Sequence, residues 1–321
     1  MDRRRAVGVL LVVVSACGFG SGALFAKPVY AAGLDWLTLL AWRFAIGAAL
    51  AWGWLLISAE RRAELRRTTG RLAAGAIALG AVYTLNSATY FAALETVPAS
   101  LAALIVYIYP VLVAVLTLRI GRPLRGRGPW IALGVATAGA ALAVGGIDAA
   151  HVPPIGGILL AIASPIIYSC WIVFSARLGG ERRDRSGDSV SSGAAPAVAG
   201  ALMMTTTGVI FWLLALGTDH PVFPGSIAAA AWPGIVGIGV VSTFIAIQTF
   251  YAGARRVGAA QAALISTIEP VYTITFAALL FAETLTGLQL VGAALILGAV
   301  VVAQSSARTG TDLPRLRVAD E

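Results

Sequence analysis

Two stretches of the chain decide the fold: VPASLAALIVYIYPV at 97–111 and VGAAQAALISTIEPV at 257–271. They lie 160 residues apart, and nine of their fifteen aligned positions are identical. Pro110 falls on Pro270 in this alignment. Alanine-rich helices match one another easily by chance, but a shared proline inside an apolar segment does not arise that way. The chain is therefore interpreted as a duplication of one structural unit.

The composition requires lipid as a solvent for most of the chain. Of its 321 residues, 59% are hydrophobic and only 12% are charged, with a mean hydropathy of +0.86, whereas soluble proteins carry roughly 25% charged residues. A membrane-spanning helix needs about 20 apolar residues. Ten segments meet or approach this length: 6–27, 36–58, 72–93, 99–118, 129–146, 155–176, 195–217, 227–253, 259–281 and 285–304.

The basic residues lie on one side of these ten segments. The N-terminus, the C-terminal tail and the loops after every even-numbered segment together hold 21 of the 23 Lys and Arg residues. Because basic loops stay in the cytoplasm, the pattern predicts cytoplasmic termini and a multi-pass protein of the inner (plasma) membrane. The net charge of +8 is then explained by orientation and contact with the lipid bilayer, and no nucleic-acid partner is expected.

Five helices per unit is an odd number, so the second unit enters the membrane in the opposite orientation. The predicted fold class is an all-α integral membrane protein of ten transmembrane helices in two inverted five-helix repeats, with repeats at 1–147 and 148–304 and a cytoplasmic tail at 305–321. Inverted repeats are a known basis for alternating access, with a substrate site near the midplane. The sequence therefore predicts a secondary transporter of a small-molecule substrate.

The quoted repeats lie in longer segments that resemble a known family. ALETVPASLAALIVYIYPVLVAVL at 93–116, its copy at 252–302, and Arg43 within LLAWRFAIGAAL are similar to EamA-type transporters of the drug/metabolite transporter superfamily. The second unit is the closer match, with Glu269-Pro270 and Glu283. The first unit has Tyr109 before its proline, and Arg122-Pro123 in place of the later glutamate. The resemblance implies export or exchange of amino acids, related metabolites or drugs, through a cavity lined by helices 1, 3, 4, 6, 8 and 9.

Two ionisable residues lie deep within the predicted helices. Charges there are costly and commonly mark a pathway. Glu269 is interpreted either as a site for a cationic group or a coupling proton, or as an acceptor at the bend made by its neighbouring proline. Arg43 is interpreted either as a ligand for a substrate carboxylate or partner of an acid, or as a residue that braces helices or reaches the interface.

Other residues are candidates for the cavity wall or for helix bending. Pro110 and Pro270 interrupt backbone hydrogen bonding at matching positions and bend their helices. Polar side chains that recur on one face of an apolar helix either line water or bond to a neighbouring helix, and both readings stay open. The substrate or cavity candidates are Glu269, Tyr83, Asn86, Tyr90, Tyr107, Tyr168, Trp171, Gln248 and Tyr272.

Several other functions find little support in the sequence. Lys27 is the only lysine, so the chain has no P-loop, and no catalytic constellation, cofactor motif or metal cluster is visible. No enzymatic activity, cofactor or metal is therefore expected. A channel, or a membrane protein without transport activity such as an enzyme or a sensor, is the alternative. Small residues at helical spacing in helices 5 and 10 indicate either internal packing or a possible homodimer contact.

Overall fold

The computed structural model describes residues 3–93, 96–97, 102, 105–124, 126–144, 153–181, 193–281 and 286–309. In these ranges the regular secondary structure is helical, and no strand occurs. A π-helix, Ile238–Ile245, joins two of the helices, and 3₁₀ turns at Pro224–Ser226 and Ala229–Ala231 precede it. The α-helices are α1 (Arg3–Ala31), α2 (Trp36–Ile57), α3 (Ala59–Arg67), α4 (Gly70–Ala93), α5 (Tyr109–Ile120), α6 (Arg127–Val144), α7 (Ile155–Leu178), α8 (Pro196–Gly217), α9 (Trp232–Gly237), α10 (Ala246–Val257), α11 (Ala259–Ser266), α12 (Glu269–Phe281) and α13 (Gly287–Thr309).

Many of these helices are long and apolar enough to cross a membrane. Among the described residues, seven helical spans meet that criterion by length and composition, and the apolar stretches Tyr109–Ile120 and Gly287–Val302 are shorter. The chain is therefore a multi-pass helical membrane protein, and the ten crossings expected from the sequence stay a prediction. The seven spans are Arg3–Ala31, Trp36–Ile57, Gly70–Ala93, Ile155–Leu178, Pro196–Gly217, Ala229–Val257 and Ala259–Leu280.

The packing of these helices places residues from distant parts of the chain side by side. α1 runs along α10 and the π-helix, α8 packs against both α2 and α4, and α4 also packs against α7. α6 and α13 pack against each other and also contact α12. Glycine permits the close approach of α1 to α10, because a Cβ added at Gly253 would lie 3.0 Å from the Gly8 carbonyl oxygen and 2.6 Å from Val12. The N-terminal helix is thus packed into the second half of the chain.

The fourth and ninth apolar segments restart their helices at equivalent positions. α5 begins at Tyr109 and α12 begins at Glu269, and the next residue in each is Pro110 or Pro270. Proline suits the first turn of a helix because the backbone N–H groups there have no intrahelical partner. Each helix therefore begins anew at the proline and does not simply bend there.

The two breaks also share a hydrogen-bond pattern. Ile108 N donates to Ile105 O at 3.2 Å, and Ile268 N donates to Ile265 O at 3.2 Å. Bonds of this i to i−3 type tighten the backbone into a 3₁₀ turn. Both residue pairs are related by the same 160-residue offset as the sequence repeat, so the internal similarity of the sequence has a counterpart in backbone geometry.

One end of the bundle, the arginine-rich end, carries Arg61, Arg122, Arg177 and Arg256. α2 and α10 end there, and α8 and α11 begin there. α3 lies at this end and has no buried residue. The arginines therefore lie at or just past the ends of the apolar helices, where water can solvate their charge.

Glu181 connects three separate segments at the arginine-rich end. Its side chain is 8% exposed and accepts hydrogen bonds from Arg122 N at 2.6 Å and Ala259 N at 2.8 Å. Nearby, Arg177 Nη1 donates to Ile120 O at 3.0 Å. Burial raises the pKa of Glu181 above its ordinary value, while the two backbone N–H groups and the neighbouring arginines oppose that rise. The carboxylate therefore ties the end of α5 to the start of α11.

The structure departs from the sequence expectation at two element boundaries. The expected loop after α2 contains α3, and Ser58 Oγ accepts a bond from Arg61 N at 3.5 Å at its first turn. α13 continues to Thr309, beyond the expected end at 304. Most of the predicted loop at 177–194 and residues 310–321 of the predicted tail lie outside the described residues.

Candidate functional site

Glu269 is the first residue of α12 and is half-buried. Within the part of the chain that the structure describes, no arginine or lysine forms an ion pair with its carboxylate, and no side chain donates a hydrogen bond to it. A carboxylate in an apolar bundle is costly unless it is paired or protonated. This position can therefore accept a proton or a positively charged group.

Five tyrosines lie within range of an electrostatic interaction with Glu269. They come from α4, from the segment just before α5, from α5 itself and from α7. These elements belong to both halves of the chain, and all five side chains are buried or half-buried. They are Tyr83, Tyr90, Tyr107, Tyr109 and Tyr168.

Part of this tyrosine group forms a continuous aromatic cluster with α10. The ring centroids of Tyr109 and Tyr168 are 4.8 Å apart, and Tyr168 stacks on Trp171 at 5.7 Å. Trp171 contacts Tyr83 at 4.8 Å and stacks on Phe250 at 5.3 Å. Close aromatic pairs stabilise by about 0.5–1.5 kcal/mol beyond their burial, so this cluster fixes the positions of the tyrosine hydroxyls.

α1 meets the beginning of α12 beside Glu269. Ser21 Oγ donates to the Tyr272 hydroxyl at 3.1 Å, and Thr273 Oγ1 donates to Gly20 O at 3.1 Å. A Cβ at Gly20 would lie 2.7 Å from Thr273 Oγ1 and 3.2 Å from the Glu269 carbonyl oxygen. Glycine at this position lets α1 approach the carboxyl-bearing turn directly.

The other polar candidates make contacts in two different places. Asn86 Oδ1 accepts a hydrogen bond from Ser164 Oγ at 3.0 Å, which joins the polar stripes of α4 and α7. Gln248 instead faces α8, where its Nε2 donates to Ala197 O at 3.4 Å and a Cβ at Gly200 would lie 2.6 Å from it. The contacts of Gln248 place it in the α8–α10 packing and not around Glu269.

Burial separates the candidates further. Trp171 is 0% exposed and Tyr83 is 4% exposed. These two members of the aromatic cluster are therefore packed inside it and offer little surface to a solute. The half-buried candidates offer surface that a solute can contact: Asn86, Tyr90, Tyr107, Tyr168, Glu269 and Tyr272.

Arg43 lies against the π-helix. Its Nε donates to Thr243 Oγ1 at 2.8 Å and its Nη2 donates to Ser242 O at 3.1 Å, while the guanidinium lies 5.2 Å from the Phe44 ring centroid. Its side chain is 6% exposed. π-helices widen the backbone and frequently occur at functional sites. Arg43 thus links α2 to a segment 200 residues later.

Most of the chain matches a single protein family. The model of the EamA-like transporter family matches residues 6–145 and 155–304. The chain belongs to the EamA-like transporter family. Its place within the drug/metabolite transporter superfamily, expected from the sequence, is thereby confirmed.

Two uncharacterized transporters from other organisms are similar to this chain over most of their length. An uncharacterized transporter, YcbK, of Bacillus subtilis (strain 168) is 27% identical, with 90% of each chain covered. An uncharacterized transporter of Archaeoglobus fulgidus is 26% identical, with 92% of this chain and 96% of the relative covered. A crystal structure with 21% sequence identity has a TM-score of 0.77 and covers 95% of this chain and 98% of its own. That likeness supports the fold.

One tyrosine near Glu269 is not among the cavity candidates expected from the sequence. Tyr109 is 1% exposed, contacts Tyr168 and lies near Glu269. The sequence pointed to Tyr109 only through the repeat, in which it aligns with Glu269. Among the described residues, no group of three or more His, Cys, Asp or Glu side chains comes together in a way that would hold a metal ion.

Proposed function

We propose that this EamA-like protein is a secondary transporter that exports or exchanges small metabolites across the inner membrane by alternating access. The proposed substrates are amino acids or related compounds, including drugs with a positively charged group. The family membership supports transport in general, and the site around Glu269 supports the choice of substrate chemistry.

The observation that carries this proposal is an acid, Glu269, to which no basic residue is paired within the described part of the chain. Glu269 is half-buried at a helix break, and tyrosines of α4, α5 and α7 surround it. Ionisable groups within membrane segments commonly mark substrate or proton pathways. An ammonium group of the substrate or a coupling proton would neutralise this carboxylate, and tyrosine rings attract cations through their faces.

The proposed mechanism uses two inverted five-helix repeats and ten crossings, with both termini in the cytoplasm. The arginine-rich end is then the cytoplasmic end. The equivalent breaks before Pro110 and Pro270 provide paired discontinuous helices, and such helices form substrate sites in transporters with inverted repeats. The two halves would rock about these breaks and open the site to each side in turn.

The proposed substrate contacts are the half-buried residues around Glu269. Asn86 and Tyr107 would offer hydrogen-bonding groups from the first half, while Tyr168 and Tyr272 would offer them from the second. Tyr90 extends the same face of α4. Tyr83 and Trp171 are proposed as the packed layer behind these contacts, whereas Gln248 is proposed to act only through its packing between α8 and α10.

Counterflow into proteoliposomes tests the transport proposal. Vesicles are loaded with one unlabelled amino acid, and uptake of its labelled form is followed for basic, neutral and acidic amino acids in parallel. A carrier shows saturable uptake that depends on the internal substrate. Flux without saturation would favour a channel, and no flux across the whole panel would contradict the proposed function.

The role of Glu269 is tested by Glu269→Gln in the same vesicles. Removing a group that binds the charged part of a substrate or its coupling proton is expected to reduce uptake about tenfold or more, as loss of a charge-assisted bond does, or to abolish its pH dependence. Glu60→Gln, at an exposed site on α3, is the matched control. A folded Glu269→Gln protein with wild-type uptake at every pH would overturn the assigned role.

A further inference from the structure

A cavity of about 390 Å³ lies at the arginine-rich end, apart from the site around Glu269. Its volume falls within the roughly 300–1,000 Å³ of ligand pockets. α1, α2, α3, α8 and α10 all contribute to it. The residues that line it are Arg4, Trp54, Arg61, Glu64, Pro196, Ala197, Ala252, Arg255 and Arg256.

The cavity has a strong positive charge. Four arginines and one glutamate line it, a formal net charge of +3. Arg255 interacts electrostatically with Arg4 and Arg256, which repel it, and with Glu64, which attracts it. Guanidinium groups held together in a partly enclosed space repel one another, and a bound anion would relieve that repulsion.

Two of these guanidinium groups each donate one hydrogen bond to a backbone carbonyl of a described residue. Arg61 Nε donates to Trp54 O at 2.8 Å, and Arg256 Nη1 donates to Ala252 O at 2.6 Å. A guanidinium has five N–H donors, arranged to fit phosphate and carboxylate oxygens. Each bond uses one of the five and holds the side chain in place. Within the described residues these two groups make no other hydrogen bond, so their remaining donors are available to an anion.

The first turn of α8 adds a second feature that favours an anion. Pro196 and Ala197, the first two residues of that helix, line the cavity, and no side chain caps the helix at Ala195. Pro196 has no N–H, so Ala197 provides the first backbone donor of the helix. The first N–H groups of a helix have no intrahelical partner and carry the positive end of the helix dipole. Phosphate groups bind at such termini.

The position of the cavity matches the depth of lipid headgroups. Ile57, at the end of α2, is 81% exposed, and Trp54 is 38% exposed. The polar helix α3 follows immediately. The lipid-facing surface therefore ends beside the cavity, and tryptophan is typical of this boundary. Arg61 holds its guanidinium 4.3 Å from the Trp54 ring centroid, which directs the charge toward that boundary.

We infer that this cavity is a binding site for a phosphate-bearing anion, the chemistry shared by the headgroup of an anionic phospholipid and by free phosphate. Basic pockets between transmembrane helices bind such headgroups. A bound phosphate would connect α1, α3, α8 and α10, and so would hold the N-terminal helix against the second half of the chain.

The test is a thermal-shift titration of the purified, delipidated full-length protein with three probes. Dioleoylphosphatidylglycerol is compared with dioleoylphosphatidylcholine, which has the same chains and no net charge, and with inorganic phosphate. A ligand that binds the folded state raises its melting temperature. A rise with phosphatidylglycerol alone identifies a lipid site, and a rise with inorganic phosphate as well identifies a site for free phosphate.

The variants Arg61→Gln and Arg256→Gln are expected to weaken the effective probe about tenfold or more, because each removes charge-assisted hydrogen bonds. Arg66→Gln is the matched control, since Arg66 is exposed on α3 and does not line the cavity. Native mass spectrometry of the wild-type protein provides a measurement that does not depend on the variants. No anionic probe raising the melting temperature, or an equal loss in Arg66→Gln and the cavity variants, would overturn the inference.

Discussion

Replacing Glu181 by alanine is expected to lower the free energy of unfolding substantially. The carboxylate accepts hydrogen bonds from Arg122 N at 2.6 Å and Ala259 N at 2.8 Å. Hydrogen bonds to charged groups contribute about 1.5–3 kcal/mol each, so the pair contributes roughly 3–6 kcal/mol. The variant no longer buries a charge, which offsets part of this loss. We expect a net destabilisation of about 2–4 kcal/mol.

The loss is measured by thermal unfolding in detergent with a thiol-reactive dye. Cys17 and Cys170 are free and half-buried within helices, so they react faster when the protein unfolds. Glu60→Ala is the matched control, because it removes an exposed carboxylate at the same end of the bundle. Equal melting temperatures for Glu181→Ala and Glu60→Ala would refute the connecting role of Glu181.

The pH dependence of unfolding provides a second measurement on the same residue. Burial raises the pKa of Glu181 in the folded protein above its ordinary value of 4.5. The folded state therefore holds this proton more tightly than the unfolded state does. The additional stability that comes from binding this proton is complete below about pH 4.5 and is lost as the pH rises through the raised pKa. The melting temperature of the wild type should fall over that window relative to Glu181→Gln, and parallel curves would contradict the reasoning.

Two further predictions concern helix contacts. Arg43→Gln removes the bonds to Thr243 Oγ1 and Ser242 O and is expected to cost about 2–4 kcal/mol. If Arg43 is a brace, the folded fraction keeps its wild-type transport KM, whereas a raised KM with unchanged stability would make it a substrate ligand. Gly20→Val places a side chain 2.7 Å from Thr273 Oγ1 and should destabilise by about 1–3 kcal/mol. Gly53→Val is its control, since a Cβ there has no neighbour within 4 Å, and equal melting temperatures would argue against the α1–α12 contact.

Hydropathy located the membrane helices well because lipid allows few alternatives for an apolar backbone. Each of the seven full-length spans begins and ends within a few residues of a predicted segment. α3 was missed because its sequence AERRAELRR is polar, and the search looked for apolar runs. Its helix-forming residues and the Ser58 cap were the signals that pointed to it.

The interruptions within helices were harder to predict. A proline indicated a bend at Pro270, but the turn before Glu269 also needs the bond from Ile268 N to Ile265 O. The π-helix was not predicted from the residues that form it. Arg43, which contacts it, lies about 200 residues earlier in the chain. Such features depend on tertiary packing, which a single segment of sequence does not contain.

Helical spacing grouped the site candidates by face but did not predict their burial. Tyr83 and Tyr90 share one face of α4, yet Tyr83 is 4% exposed and Tyr90 is half-buried. The difference follows from the neighbours, since Tyr83 packs against both Phe44 and Trp171. Gln248 shows the same limit, because its partner on α8 is 51 residues away. These roles stay predictions until the variants are measured.

The asymmetry between the repeats suggests why the proposed site has one acid. The two breaks have the same backbone pattern, but Tyr109 occupies the place that Glu269 has in the second half. These two side chains are close enough to interact electrostatically. If a glutamate stood in place of Tyr109, its carboxylate and that of Glu269 would repel each other, and one would be held protonated. A tyrosine keeps a hydrogen-bonding hydroxyl without a second charge, so the proposed site would balance one positive charge at a time, either one ammonium group or one proton.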